Sequence, residues 1–140
     1  MAESSPLLLD THIWLRFQGL SGGLRGPAIR IIDAAARLGL VFVSVISIWE
    51  IALLVRKQRL ELHGPVERWA QDALNKPGIQ LLPFTPRIAI ESVNLPDSMN
   101  KDPADRILVA SARVERLTLV TRDKDMLAFA KRTRLSFLHA

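Results

Sequence analysis

The 140-residue chain carries 19 Lys and Arg against 14 Asp and Glu, a net charge of +5, with 49% hydrophobic residues and no cysteine. That length and apolar content suit one domain, residues 1–140, with a substantial core, and the missing cysteines exclude disulfides, thiolate metal sites and thiol nucleophiles together. The basic excess, mostly arginine in clusters such as Arg56-Lys57-Arg59 and Lys131-Arg132-Arg134, favours either polyanionic partners or plain surface solubility.

In chain order, the opening MAESSP has neither a basic flank nor a cleavage site, so no signal peptide is expected. The stretch LLLDTHIW then begins with a leucine run at 7–9 that reads as a strand, interrupted by Asp10. A carboxylate there is costly if buried alone, so Asp10 is a helix cap, a satisfied structural contact or one part of a charged site. Residues 19–27 are loop-like, and 27–38 place Ile31, Ala34, Ala35 and Leu38 at helical spacing. A β-branched strand at 41–45 leads into a helix at 47–59 with Ile48, Ile51 and Val55 on one side. The apolar run 38–49 stops at Glu50 and is too short to cross a bilayer. Helices at 65–75 and 86–93 flank a short strand at 80–82, and 95–103 is loop-like. A helix at 103–116 carries Ile107, Val109, Ala110 and Val114; strand 118–121, helix 124–131 and strand 135–138 complete the chain. Several helices open with Pro in the first turn. Strands that are apolar on both sides, separated by helices, predict an α/β fold: a three-layer α/β/α sandwich around a parallel sheet of about five short strands. In such sheets ligands bind beyond the carboxyl ends of the strands.

Three carboxylates, Asp10, Glu50 and Asp123, map to that edge, and a fourth, Asp105, joins them if its helix packs with its N-terminus there. Asp10 ends the first strand and Asp123 the fourth; Glu50 is expected in the first turn after strand two, and Asp105 near the start of the 103–116 helix. Each has a structural reading of its own. Asp10 and Asp123 suit helix caps, Ser47 to Glu50 spells a capping box, SIWE, and Asp102 is a natural cap with Asp105 as a first-turn acid. Together they suit something else. Converging carboxylates repel and raise one another's pKa unless a divalent cation neutralises them, and oxygen ligands alone suit Mg2+ or Mn2+ rather than Zn2+. With the four set aside, ten acids face nineteen bases, a net of +9. An acidic, metal-holding centre on a basic surface is the pattern of a metal-dependent nuclease.

LLLDTHIW, VSVISIWEIA, KDPADRILVASA and LTLVTRDKDM occur in the order and spacing of PIN-domain ribonucleases, and the chain most resembles VapC-type toxins of bacterial toxin–antitoxin pairs. The resemblance covers nearly the whole chain, including LLPFTPRIAIESVNLP before the third acid. It implies Mg2+-dependent (or Mn2+-dependent) RNA hydrolysis by an in-line attacking water, with tRNA or rRNA as target and arrest of translation as the result. It also implies a cytoplasmic homodimer with a cognate antitoxin and no membrane association. Asp10, Glu50, Asp105 and Asp123 fall on the family's catalytic positions; Asp10, Asp105 and Asp123 would be metal ligands, with Glu50 and Asp123 acting partly through water. Thr11 and Thr121 match hydroxyl positions that orient the carboxylates. Asn100 and Ala104 depart from the family pattern, which commonly has His and Phe there, and that bears on substrate preference.

The remaining residues are more ambiguous. His12 stands two residues from Asp10, whereas His63 and His139 show no ligand spacing. Arg106 and Arg122 adjoin two of the acids, as RNA or antitoxin contacts or as ion pairs that orient a carboxylate. Trp14, Trp49 and Trp69 read as core or groove packing rather than base-stacking platforms. Trp14, Leu15, Leu53 and Leu54 are expected in the core, with an antitoxin groove as the alternative. Two other classes compete: a non-catalytic RNA-binding or scaffold domain, and an aspartate-nucleophile phosphatase, which would need a second Asp where His12 stands.

Overall fold

The apolar runs pair side by side in the structure, a computed structural model that describes residues 5–20, 22–96 and 99–140. Part of the opening MAESSP and of both loop stretches (residues 1–4, 21, 97 and 98) lies outside the described residues. In order the elements are β1 (Leu7–Leu9), α1 (Thr11–Phe17), α2 (Gly26–Arg37), β2 (Val41–Ser44), α3 (Val45–Arg56) and α4 (Val66–Leu74). There follow β3 (Ile79–Leu82), α5 (Pro86–Asn94), α6 (Pro103–Glu115), β4 (Thr118–Thr121), α7 (Lys124–Thr133) and β5 (Phe137–His139). The strands form one parallel sheet in the order β3-β2-β1-β4-β5. Among the described residues no helix is long and apolar enough to cross a membrane.

Period-two alternation divides the core between the two faces of the sheet. Leu7 and Leu9 pack with Val41, Val43, Ile79 and Val120 against α1, α2 and part of α3 and α4, while Leu8, Leu82 and Leu119 pack against α6 and α7. This is the expected three-layer sandwich. β1 lies at its centre, bonded to β2 on one side and β4 on the other, so all three leucines are buried. Where β3 joins the sheet, Gly78 has φ of +85°, and a Cβ there would lie 2.0 Å from the carbonyl oxygen of Ala36. Only glycine permits that approach of β3 to the end of α2.

Several boundaries differ from expectation, three of them for a local reason. Helix α1 has seven residues, too few to display a helical period in sequence, and follows β1 with only Asp10 between them. Helix α3 begins at Val45 because the Ser44 hydroxyl, at the end of β2, already accepts from the Ile46 N–H at 3.0 Å. Strand β5 begins later than expected, since α7 closes through a left-handed Arg134 and a bond from Leu135 N to the Ala130 carbonyl.

Candidate active site

The carboxyl ends of β1 and β4 are adjacent, at the point where the strand order reverses. Asp10 extends β1 by one residue: its N–H donates to the Val120 carbonyl at 2.9 Å. Its side chain is only 4% exposed and occupies the cap position of α1 without accepting a capping bond. Instead the Thr121 hydroxyl donates to Asp10 Oδ2 at 2.7 Å. The cap reading therefore fails for Asp10. Thr121 Oγ1 also accepts from the Asp123 N–H at 3.0 Å, and Asp123 Oδ1 accepts from Met126 N at 2.9 Å. Asp123 is thus a true cap of α7, and one hydroxyl ties it to Asp10.

Glu50 arrives differently from the expected capping box. With Ser44 as the cap, Ser47 lies inside α3 and Glu50 falls in the second turn, beyond reach of the helix start. Ser47 Oγ and Thr11 Oγ1 stand 2.7 Å apart, and Thr11 donates to Glu50 Oε1 at 2.5 Å. Thr11 has one hydroxyl hydrogen, so Ser47 must be its donor. The relay Ser47, Thr11, Glu50 couples α1 to α3.

Asp105 sits in the first turn of α6, its N–H donating to the capping Asp102 Oδ1 at 3.1 Å. Asn100 Nδ2 donates to Asp105 Oδ2 at 3.2 Å, while Asn100 Oδ1 accepts from Asp102 N at 2.9 Å. Asn100, singled out in sequence as a departure, here holds the third acid. Arg106 differs from both of its expected roles. Its guanidinium donates to the backbone carbonyls of Ser92, Leu95 and Asn100, bracing the segment that carries Asn100 rather than pairing with a carboxylate or facing a ligand. Arg122 is half-buried, and its Nε has no partner among the described residues.

The acids share one electrostatic field. Burial raises the Asp10 and Glu50 carboxyls above their ordinary values, and burial together with Asp102, Asp10 and Asp123 pushes Asp105 up to about 7. Asp123 adds to the rise at Asp10, and Asp10 to that at Glu50. The opposing influences are neutral donors (Thr121, Thr11 and Asn100) and, for Asp10 and Glu50, the exposed His12. Among the described residues no three His, Cys, Asp or Glu side chains are spaced to grip a cation without help. Desolvated anions steadied by hydroxyl and amide donors suit a hydrated Mg2+ or Mn2+, which keeps several waters and needs only one or two direct carboxylates.

The raised Asp105 pKa has a consequence for stability. A carboxyl raised in the folded state above its unfolded value penalises folding as pH climbs from about 4 through 7. In EDTA, Asp105→Asn is expected to be more stable than the parent at pH 8 by on the order of 1–2 kcal/mol, allowing for partial solvent screening. The difference should vanish towards pH 4. Urea unfolding at both pH values measures it, and equal stability at pH 8 would contradict it.

The tryptophans divide. Trp14 is wholly buried with its ring centroid 5.2 Å from that of Trp69, and Leu15 is buried beside it, so neither Trp14 nor Leu15 lines a groove. Trp49, expected in core or groove packing, is 55% exposed and lines a cleft with Leu53, Leu54 and Glu50.

The PIN domain family model matches residues 7–132. Ribonuclease VapC22 of Mycobacterium tuberculosis is 33% identical over 120 residues, covering 86% of this chain and 88% of that protein. The crystal structure of FitAcB from Neisseria gonorrhoeae shares the fold with a TM-score of 0.67 at 21% identity, covering 95% of this chain and 96% of that one. A toxin–antitoxin complex from Klebsiella pneumoniae does so with a TM-score of 0.59 at 24% identity, covering 85% and 88%.

Proposed function

The chain belongs to the PIN domain family, and from that membership we propose that it is a metal-dependent endoribonuclease, the toxin of a toxin–antitoxin pair. The observation that carries the reading is the convergence of Asp10, Glu50, Asp105 and Asp123 in one field on an otherwise basic protein. The relative named a ribonuclease and the fold shared with a toxin–antitoxin complex support it.

In this reading Asp10, Asp105 and Asp123 would hold a Mg2+ or Mn2+, and Glu50 would complete the site. The cation would polarise the phosphodiester and lower the pKa of the attacking water. The chain's own groups prepare the site. Thr121 fixes Asp10 and the start of α7 together, Asn100 fixes Asp105, and Arg106 holds Asn100 in place through the backbone. Thr11 occupies Glu50 Oε1, which leaves Oε2 to accept a proton, and burial has already raised its affinity for one. The arginine-rich surface holds the RNA backbone, and Arg122, beside Asp123, contacts RNA or the antitoxin. The target is tRNA or rRNA in the cytoplasm, the working form a homodimer of single-domain chains, and the control a cognate antitoxin.

The test is incubation of the purified chain with total tRNA and rRNA. Cleavage is expected with Mg2+ or Mn2+, lost in EDTA and restored by adding back the ion. Equal RNA binding with and without the ion, and no cleavage under either condition, would leave a binding module and overturn the proposal. A phosphatase is disfavoured because the residue two places after Asp10 is His12, which is exposed.

A further inference from the structure

Helices α6 and α7 end where β4 and β5 begin, at the amino-terminal edge of the sheet and opposite the acids. Their ends, with α5, surround a hollow of about 490 Å3. Arg87 from α5, Arg113 and Arg116 from α6 and its cap, and Arg134 from the cap of α7 line it. Glu91 is its one carboxylate, already paired with Arg113 at 2.8 Å. Among the described residues the side chains of Arg87, Arg116 and Arg134 make no hydrogen bond or ion pair. Two of these arginines stand where the backbone favours glycine. Arg116 and Arg134 close their helices at φ of +57° and +60°, left-handed values that strain a residue with a Cβ. The helix dipoles do not require them there. Arg113 already lies in the last turn of α6, and Lys131 and Arg132 in that of α7, all without that strain.

We infer that this hollow is an anion site, separate from the acidic centre, that takes a compact oligophosphate group. Each guanidinium presents a planar fork of donors that matches two phosphate oxygens. Four guanidiniums against one carboxylate leave three positive charges unbalanced. A single phosphate carries about −1.5 to −2 at neutral pH, so two or three linked phosphates, free or borne by a nucleoside, match the charge better. The lining holds no aromatic ring, so the phosphates supply the recognition rather than a base. The strain at Arg116 and Arg134 is then the cost of aiming two more forks into one space. The site stands independently of whether the acids cleave RNA.

Isothermal titration with sodium pyrophosphate tests this, in EDTA so that no metal bridges the probe to the acids. The parent is expected to saturate with one pyrophosphate and to bind orthophosphate at least about ten-fold more weakly. Asp10→Asn should bind pyrophosphate as the parent does. Arg116→Gly/Arg134→Gly should lose about ten-fold or more in affinity, while its Tm stays level or rises because glycine suits both caps. Arg87→Gln, which relieves no backbone strain, should weaken binding several-fold by itself. Adenosine diphosphate is the second probe: affinity equal to that of pyrophosphate supports a site that reads phosphates alone, and tighter binding supports a nucleotide as their source. Absence of saturable pyrophosphate binding overturns the proposal, as does unchanged affinity in the double glycine variant or lost affinity in Asp10→Asn. A double variant with a lowered Tm, beside Arg87→Gln protein that binds normally, also overturns it and gives the arginines to the fold. So does a double variant that loses affinity for an oligoribonucleotide while no form of the protein binds pyrophosphate, because the arginines then serve an extended RNA surface.

Discussion

Asp10→Asn is expected to lower RNA hydrolysis by at least ~10²–10³-fold, the range seen when one preorganised electrostatic group is removed from an active site. The variant should still fold. Asn is isosteric with Asp, and its carbonyl oxygen can accept the Thr121 hydroxyl as Asp10 Oδ2 does now. What disappears is a charge that is 4% exposed and raised in pKa by that burial. Removing a desolvated charge whose opposing charge is the exposed His12 should leave thermal stability unchanged or improve it, since burial outweighs that attraction. Lost activity with retained or increased Tm is the combination expected of a group kept for chemistry at a cost to the fold. Multiple-turnover cleavage and a thermal melt of the same preparation test both halves. Cleavage at the parental rate would remove Asp10 from the mechanism.

The second large effect concerns stability. Trp14 is fully buried, among the largest such side chains in the core, and packs on Trp69 between β1 and the helices on that face. Trp14→Ala is expected to cost about 3–5 kcal/mol, from lost transfer energy and the cavity left behind. Trp14→Phe should cost clearly less than the change in size alone suggests. The indole Nε1–H is buried without an acceptor among the described residues, and an unsatisfied donor carries a penalty of roughly 1–3 kcal/mol that phenylalanine does not. Urea unfolding of the two variants separates these contributions. A Phe variant as unstable as the Ala variant would show that Nε1 has a partner in solution.

The sheet was legible because its determinants are local. Leu7–Leu9, Val41–Ser44 and Thr118–Thr121 are short, apolar and β-branched or leucine-rich, and the helices between them repeat at their own period. The parallel, two-sided arrangement follows from strands with no polar face. Boundaries were less legible where one hydrogen bond decides them. The SIWE pattern makes Ser47 the cap in sequence, whereas the cap is Ser44, which stands at the end of β2. That choice moves Glu50 by a turn and frees Ser47 to bond Thr11.

For the site, the chain alone specified which residue types were present and that Asp10, Glu50 and Asp123 would stand near one sheet edge, because strand ends and the helix starts that follow them are local features; whether Asp105 joined them depended on how its helix packs. Their relations were decided only in three dimensions. Thr121 and Asp10 are 111 residues apart and Thr11 and Glu50 are 39 apart, yet each pair shares a hydrogen bond. Arg106 was open by adjacency between an RNA or antitoxin contact and an ion pair but braces a neighbouring loop, and Trp49, expected in core or groove packing, lies half in solvent. Local sequence governs propensity and periodicity. Burial, donor choice and exposure depend on which distant surfaces meet, and only the packed sheet and its two helical layers determine that.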